Sequence, residues 1–314
     1  MSRTLFLDDS KMDEITITKF YRFFKRILKK FRISSDAVSC VVSRFFIEPV
    51  IFILARVKKM KLFVHENWGT RVRYLLGWYE YGTVLMCKKL LRPGMTALDI
   101  GADIGYYARL FSTRVGYQGK VFAFEPHPES FRLLQENVSN KKYANVSCIN
   151  NALSDKNADL ILHATNVPGK HSLFYVIQRH DSSVFYDVSI KVKGVTLDEF
   201  LQEKGNPPID LIKMDIEGAE PRALTGMQCT LTRNKNIVLI VEFNGRALKA
   251  SQTTPQQFLR QIQNLGFSVL AISEETGALV KPDEKIYNYI KQGYVNLLCT
   301  KGFFTKKVNR GMYD

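Results

Sequence analysis

Hydrophobic and polar positions change rhythm near residue 94 of this 314-residue chain. Beyond that point, short apolar runs alternate with amphipathic stretches. Residues 97–101, 120–125 and 145–150 read as buried strands, with helices predicted over 106–115 and 128–140 between them. A less regular stretch carries strand pieces near 160–163 and 188–192, and a short helix starts near Thr196. Strands at 209–215, 237–243, 267–272 and 294–300 and a helix at 255–265 complete the series. Repeated β-α-β units predict an α/β fold, a doubly wound and mostly parallel sheet covered by helices on both faces. Ligands in such a sheet bind at the carboxyl ends of the strands.

Upstream, residues 19–32 form the clearest amphipathic segment. At 100° per residue from Lys19, the residues Phe20, Tyr21, Phe23, Phe24, Ile27, Leu28 and Phe31 fall between about 40° and 200°. Lys19, Arg22, Lys25, Arg26, Lys29, Lys30 and Arg32 fill the remaining arc, with no acid among them. An aromatic face opposite a purely basic one suits a helix lying in an anionic membrane surface, at about 1 kcal/mol per basic residue. A helix packing its aromatic face on the protein itself is the alternative. Residues 38–54 are apolar but contain Arg44, Glu48 and Pro49, too interrupted for a spanning helix. They predict a buried helical hairpin broken near Pro49. The division is therefore a mainly helical N-terminal extension over 1–93 and an α/β domain over 94–314.

Charge sharpens that division. The net charge is +15, and residues 1–93 hold 19 Lys/Arg against 8 Asp/Glu, leaving only +4 for the rest. So local an excess points to an anionic membrane surface or to nucleic acid as partner. Cys40, Cys87, Cys148, Cys229 and Cys299 are odd in number and widely spaced, which argues against a disulfide framework or a structural zinc site. With no basic-then-apolar leader at the N-terminus, the expectation is a cytoplasmic protein, peripheral at a membrane in the amphipathic-helix reading.

The candidate chemistry begins in the run from Leu98 to Tyr106, where Asp99, Gly101, Asp103 and Gly105 lie between a strand and a helix. Glycines there let the chain turn tightly and a ligand approach the backbone, and the helix start offers free N–H groups. The spacing differs from the dinucleotide Gly-x-Gly-x-x-Gly. Asp99, two residues before Gly101, suits a cationic amino group better than a pyrophosphate. Glu125 ends the next strand about 20 residues on, where a carboxylate accepts hydrogen bonds from the ribose hydroxyls of an adenosine ligand.

LDIGADIGYYA, VFAFEPHPESFRLLQENV, NALSD, VTLDEFL and DLIKMDIEGAEPRALTGM resemble the FkbM-type methyltransferases over about residues 90–299. The most specific element is the run from Lys213 to Glu220. The resemblance implies a class I, Rossmann-like fold, S-adenosylmethionine as cofactor, and O-methylation of a sugar, glycolipid, oligosaccharide or related natural-product hydroxyl. It implies that Asp99, Gly101 and Gly105 border the cofactor's methionine part, that Asp103 and Tyr106 also belong to the cofactor site, that Glu125 holds the ribose, and that Asn151 and Ala152 lie near the adenine. Asp215 is expected near the reactive methyl group. The family usually has Asn where Asp103 stands, so this chain adds a negative charge beside the cofactor.

Removing a hydroxyl proton needs a base, and the candidates in order are Asp215, Glu217 and His171. A metal-assisted variant would use Asp215, Glu242 and Asn244, an oxygen set suited to Mg2+. Two other classes stay open, a nucleic-acid methyltransferase using the basic segment and a cofactor-binding protein without catalysis. Asn206-Pro207-Pro208-Ile209 resembles the signature of base-flipping methylases, but it precedes its strand and lacks the stacking aromatic, so it reads as a turn.

Overall fold

The computed structural model describes residues 47–64, 66–165, 167–174, 186–291, 293–302 and 305. The chain divides into two compact units, Met1–Arg56 and Val57–Asp314. The amphipathic segment at 19–32 and the first half of the stretch at 38–54 lie outside the described residues. Helix α1 (Glu48–Lys58) has Pro49 in its first turn, where a missing N–H costs nothing. No described helix is long and apolar enough to cross a membrane.

The second unit takes in residues 57–93, which the sequence pattern assigned to the extension. Asn67 caps α2 (Trp68–Leu76) by accepting the Gly69 N–H at 2.8 Å, and Gly77 ends it at φ +74°. Helix α3 (Tyr81–Leu90) explains the earlier boundary. Val84, Met86, Cys87 and Leu90 share one buried cluster with Ala97, Tyr107, Phe111 and Val115. Each such side chain contributes about 1.5–3 kcal/mol on full burial, so α3 belongs to this core.

Strand β1 (Thr96–Ile100) leads to α4 (Tyr106–Val115), then β2 (Lys120–Phe124), α5 (Pro128–Val138) and β3 (Val146–Ile149). A small side sheet follows, made of β4 (Ala152–Leu153), β5 (Ala158–Thr165) and β6 (Tyr186–Val195). The chain then gives α6 (Leu197–Glu203), β7 (Leu211–Met214), α7 (Glu220–Thr225), α8 (Gln228–Arg233), β8 (Val238–Asn244) and α9 (Gly245–Ala250). It closes with α10 (Pro255–Asn264), β9 (Ser268–Ile272), β10 (Leu279–Val280), α11 (Glu284–Tyr289) and β11 (Tyr294–Thr300).

The main sheet has the order β10-β9-β11-β8-β7-β1-β2-β3. Strands β3, β2, β1, β7 and β8 are parallel, and β11 lies antiparallel between β8 and β9. This is the doubly wound, mostly parallel sheet that the repeating pattern implied. Alternation divides its side chains: Leu98 and Ile100 enter one core cluster with Leu197, Leu224 and Phe243, whereas Ala97 enters the α3 and α4 cluster. The winding reverses between β1 and β7, so a crevice opens at their carboxyl ends.

The stretch after β3 is more regular than its pattern suggested. β5 and β6 pair antiparallel from Ala158↔Gly194 to Ala164↔Val188, with a register shift before Thr165↔Tyr186. Beyond β5 the chain doubles back, with Ser172 N–H donating to the His163 carbonyl at 3.2 Å and His163 N–H to the Ser172 carbonyl at 2.8 Å. That return carries Gly169, Lys170 and His171 to the crevice.

Candidate active site

Two strand-end loops touch backbone to backbone at the crevice. Gly101 has φ +82°, and a Cβ there would lie 1.9 Å from the Asp215 carbonyl oxygen. Only glycine combines that conformation with that approach. Asp215 N–H donates to the Ile100 carbonyl at 3.0 Å, which fixes the loop after β7 against the loop after β1.

Glu125 ties these loops to the next one. Its Oε2 accepts the Asp103 N–H and its Oε1 accepts the His127 N–H, each at 2.8 Å. Ser130 Oγ donates to Asp103 Oδ1 at 3.0 Å. Burial, followed by the charge of Asp103, pushes the Glu125 carboxyl up to about 8. Burial likewise pushes Asp103 up to about 6.

The Lys213–Glu220 run folds around its own acid. Glu220 accepts the N–H groups of Ile216 and Gly218, both at 2.9 Å, and so shapes the turn after β7. Glu217 sits at φ +51° in that turn, and its carboxylate is 2.5 Å from Lys170 Nζ. Lys213 Nζ lies 2.9 Å from Asp215 Oδ2 and 3.9 Å from Glu80 Oε2. Tyr107 OH donates to Glu80 Oε2 at 2.7 Å. Burial opposes ionisation of Asp215, but Lys213 and then Lys170 outweigh it and hold this carboxyl below its ordinary range. Burial raises Glu217, and Lys170 only partly offsets it. Glu242 is raised far more, by burial and then by the charges of Asp215 and Glu217.

Two clefts meet at these residues. The first encloses about 570 Å³, part of it open to solvent, and is lined by Phe124, Glu125, Asn151, Ala152, Leu162, His171 and Leu173 among others. The second encloses about 940 Å³, also partly open, between α2 and the ends of β7, β8 and β11. Gly101, Asp103, Gly169, Asp215 and Glu217 border both. The first cleft offers a buried carboxylate for vicinal hydroxyls, apolar side chains for a flat ring, and acids for a cation. S-adenosylmethionine carries each of those groups.

Of the residues expected at the cofactor, Gly101, Asp103, Glu125, Asn151, Ala152 and Asp215 line the first cleft. Tyr106 lines the second instead, its ring centroid 5.3 Å from that of Tyr74 and 5.7 Å from that of Tyr79. Asp99 and Gly105 border neither. Asp99 is buried, and burial pushes its carboxyl up to about 7 despite the charge of Lys213. Gly105 instead lets α4 meet α5, since a Cβ there would lie 2.8 Å from Leu134 Cδ1.

His171 Nδ1 accepts the Thr165 N–H at 3.1 Å, and its ring stacks on His127 at 3.8 Å. In that arrangement the proton is on Nε2, so the ring faces its surroundings as a donor. The Asn244 side chain accepts from the N–H groups of Arg246 and Ala247, capping α9. Its oxygen is thereby engaged in the cap, and among the described residues Asp215, Glu217 and Glu242 form an oxygen cluster with ligand atoms within 4.8 Å of one another.

Sequence reasoning missed Lys213, Lys170, Glu80 and, of the second cleft's tyrosines, Tyr74, Tyr79, Tyr107 and Tyr294. Lys213 had a signal, being the one charged residue inside the apolar β7 run and on the same face as Asp215. Lys170 is 47 residues from Glu217 and had none.

The model of the FkbM methyltransferase domain matches residues 99–269, more than half of the chain. Over 157 residues the chain is 31% identical to 2-O-methyltransferase NoeI of Sinorhizobium fredii, covering 47% of this chain and 63% of that protein. Over 179 residues it is 28% identical to hexuronic acid methyltransferase AglP of Haloferax volcanii, covering 56% and 66%. The chain thus spans just under two thirds of the length of each of these relatives. A SAM-dependent methyltransferase from Aquifex aeolicus superposes on 70% of this chain and 90% of its own at 15% identity, with a TM-score of 0.40. On the extent of the family match, with its glycine loop, Glu125 and the Lys213–Glu220 run all in place, the chain belongs to the FkbM methyltransferase family.

Proposed function

We propose that this chain is an S-adenosylmethionine-dependent O-methyltransferase acting on a carbohydrate hydroxyl. The observation that carries the reading is the meeting of two clefts at Asp215 and Glu217, one furnished for the cofactor and the other open to an acceptor. The names of two relatives, a 2-O-methyltransferase and a hexuronic acid methyltransferase, support a sugar hydroxyl as the target.

S-adenosylmethionine bound in the first cleft supplies an electrophilic methyl group on a sulfonium. Glu125 accepts hydrogen bonds from the ribose hydroxyls through lone pairs that Asp103 and His127 leave open. Asn151, Ala152 and the apolar wall of Leu162 and Leu173 flank the adenine. Asp103, Asp215 and Glu217 face the positive charges. Asp215, kept ionised by Lys213 and Lys170, would accept the hydrogen bond of the acceptor hydroxyl and take its proton. Glu217 is engaged by Lys170 and stands second as base, and the donor posture of His171 places it third. Holding the acceptor oxygen in line is worth ~7–11 kcal/mol of the barrier.

The oxygen cluster already has compensating charge, since Lys213 and Lys170 neutralise Asp215 and Glu217, while burial and the charges of those two acids raise the Glu242 carboxyl well above its ordinary range. That balance favours a reading without Mg2+, and activity is expected to survive excess chelator. The basic face of residues 19–32 supports a further reading, peripheral binding to an anionic membrane surface; co-sedimentation with phosphatidylglycerol vesicles that weakens with salt tests it.

Calorimetric titration of S-adenosylhomocysteine into the protein tests the central proposal. Micromolar binding is expected, weakened by about 3 kcal/mol, roughly a hundredfold, in Glu125→Ala. A folded protein that binds none of it defeats the proposal.

A further inference from the structure

We propose that Arg73, on α2, takes the α-carboxylate of the cofactor's methionine end, which crosses from the first cleft into the second beside Gly101 and Asp103. The proposal rests on the S-adenosylmethionine reading. It adds a cofactor contact from chain that precedes the family match at residue 99.

The first cleft suits adenosine and cations but not a carboxylate. Asp103, Glu125, Asp215 and Glu217 border it, and no lysine or arginine is among its described lining residues. The glycine loop has spent its N–H groups at four positions. Gly101 and Ala102 donate to the Phe124 carbonyl at 3.0 and 2.9 Å, Asp103 to Glu125 at 2.8 Å, and Gly105 to the Ala102 carbonyl at 2.7 Å. Asp103, Asp215 and Glu217 are placed for the ammonium and the sulfonium. A carboxylate among them would be an uncompensated like charge, so it has to leave this cleft.

Gly101 and Asp103 also border the second cleft, where Arg73, Lys170 and Lys213 bring positive charge. Lys213 is buried 2.9 Å from Asp215, and Lys170 is 2.5 Å from Glu217, so each ammonium already has its acid. Arg73 is exposed, and no described acid pairs with it. Its guanidinium donates to Thr70 Oγ1 at 3.3 Å, one contact for a group with several donors.

The fold sets Arg73 beside the glycine loop. Thr70, Arg73 and Tyr74 stand at i, i+3 and i+4 on α2, so they share one helix face, and that face lines the cleft. The ring of Tyr74 lies 5.3 Å from that of Tyr106, the residue after Gly105. The Arg73 carbonyl accepts the N–H groups of Trp78 and Tyr79 at 2.9 and 3.2 Å, so the turn after α2 fixes the point from which the guanidinium reaches. Glu66, an acid on the same wall, accepts the Asn67 N–H at 2.8 Å. A guanidinium can meet a carboxylate through two parallel N–H···O bonds, which a lone ammonium cannot do.

The test is calorimetry on the full chain with two probes, S-adenosylhomocysteine and its decarboxylated analogue, which keeps the adenosine, the sulfur and the amine. Wild type is expected to bind S-adenosylhomocysteine at least about tenfold more tightly than the analogue. Arg73→Gln is expected to weaken S-adenosylhomocysteine by at least about tenfold and the analogue by less than about twofold, so the gap closes. Arg73→Lys should restore part of the gap, because an ammonium supplies the charge without the fork. Both substitutions lie at an exposed position, and their urea midpoints should match wild type. The proposal is overturned if wild type binds both probes equally, if Arg73→Gln weakens both alike, or if it leaves S-adenosylhomocysteine binding unchanged. That last result would give the carboxylate to the N–H groups at the start of α4 instead. A folded wild-type chain that binds neither probe would strike the S-adenosylmethionine reading beneath the proposal.

Discussion

Lys213→Met removes one buried charge while nearly keeping the side chain's volume, so it isolates what that ammonium does. Lys213 is 2% exposed, 2.9 Å from Asp215 and 3.9 Å from Glu80, and it lies 4.7 Å from the Tyr107 ring centroid. At an effective dielectric of about 20, the Asp215 contact alone is worth about 6 kcal/mol before the ammonium's desolvation is subtracted. Desolvation consumes several kcal/mol, and measured losses on breaking such pairs run about 3–5 kcal/mol. Lys170 still faces Asp215 in the variant, so the lower end, about 3 kcal/mol at pH 7.5, is expected. The loss depends on pH with a definite sign. In the wild type Asp215 is held below its ordinary range, so its contribution is present at neutral pH and fades as pH falls through that depressed value. Without Lys213, the carboxyls of Asp215, Glu80 and Asp99 lose the cation that lowers them. Folding of the variant then takes up protons, and its deficit shrinks as pH falls toward 5. Urea unfolding at pH 5.5, 6.5, 7.5 and 8.5 measures that deficit, and the acid limb of kcat/KM should move up by at least one pH unit. A deficit under 1 kcal/mol that does not change with pH, together with an unmoved acid limb, would refute both the buried-pair accounting and Asp215 as the base.

Three further outcomes follow from the geometry. Gly101→Ala sets a Cβ 1.9 Å from the Asp215 carbonyl at φ +82°, so a loss above about 3 kcal/mol in thermal unfolding and no detectable S-adenosylhomocysteine binding are expected. Burial pushes Glu125 up to about 8, and if its ionised form holds the ribose as proposed, wild-type affinity should climb toward tenfold per pH unit between about 6 and 8 and then level. Glu125→Gln should bind more weakly and show no such slope by calorimetry, and a slope that persists would move the ribose anchor elsewhere. His171→Ala gives up the Thr165 hydrogen bond and the stack on His127, about 1–2 kcal/mol, yet the shape of its pH–rate profile should match wild type. A missing limb in that profile would restore His171 as the base.

Strand and helix order, the glycine loop, Glu125 and the Lys213–Glu220 run were all legible in the residues, because each is a local matter. The buried run over 96–100 and the glycines at 101 and 105 report on backbone that those same residues control. The sheet followed from repetition of such units. Packing decided the rest. Nothing in the text after residue 57 announced that α3 would enter the core, since its burial depends on Phe111 and Tyr107 arriving beside it. Asp99 and Gly105 fit the loop's pattern yet serve its interior, because the pattern fixes the turn and not the direction in which each side chain meets its neighbours. Lys170 reaches Glu217 only because a hairpin folds back over the sheet, and Tyr74, Tyr79 and Tyr106 become one wall only where α2 meets α4. The sequence by itself determined the loops that line the first cleft, built from residues at short and fixed spacing. The second cleft belongs to the tertiary structure, because electrostatics and ring contacts act through space between segments that the chain keeps far apart.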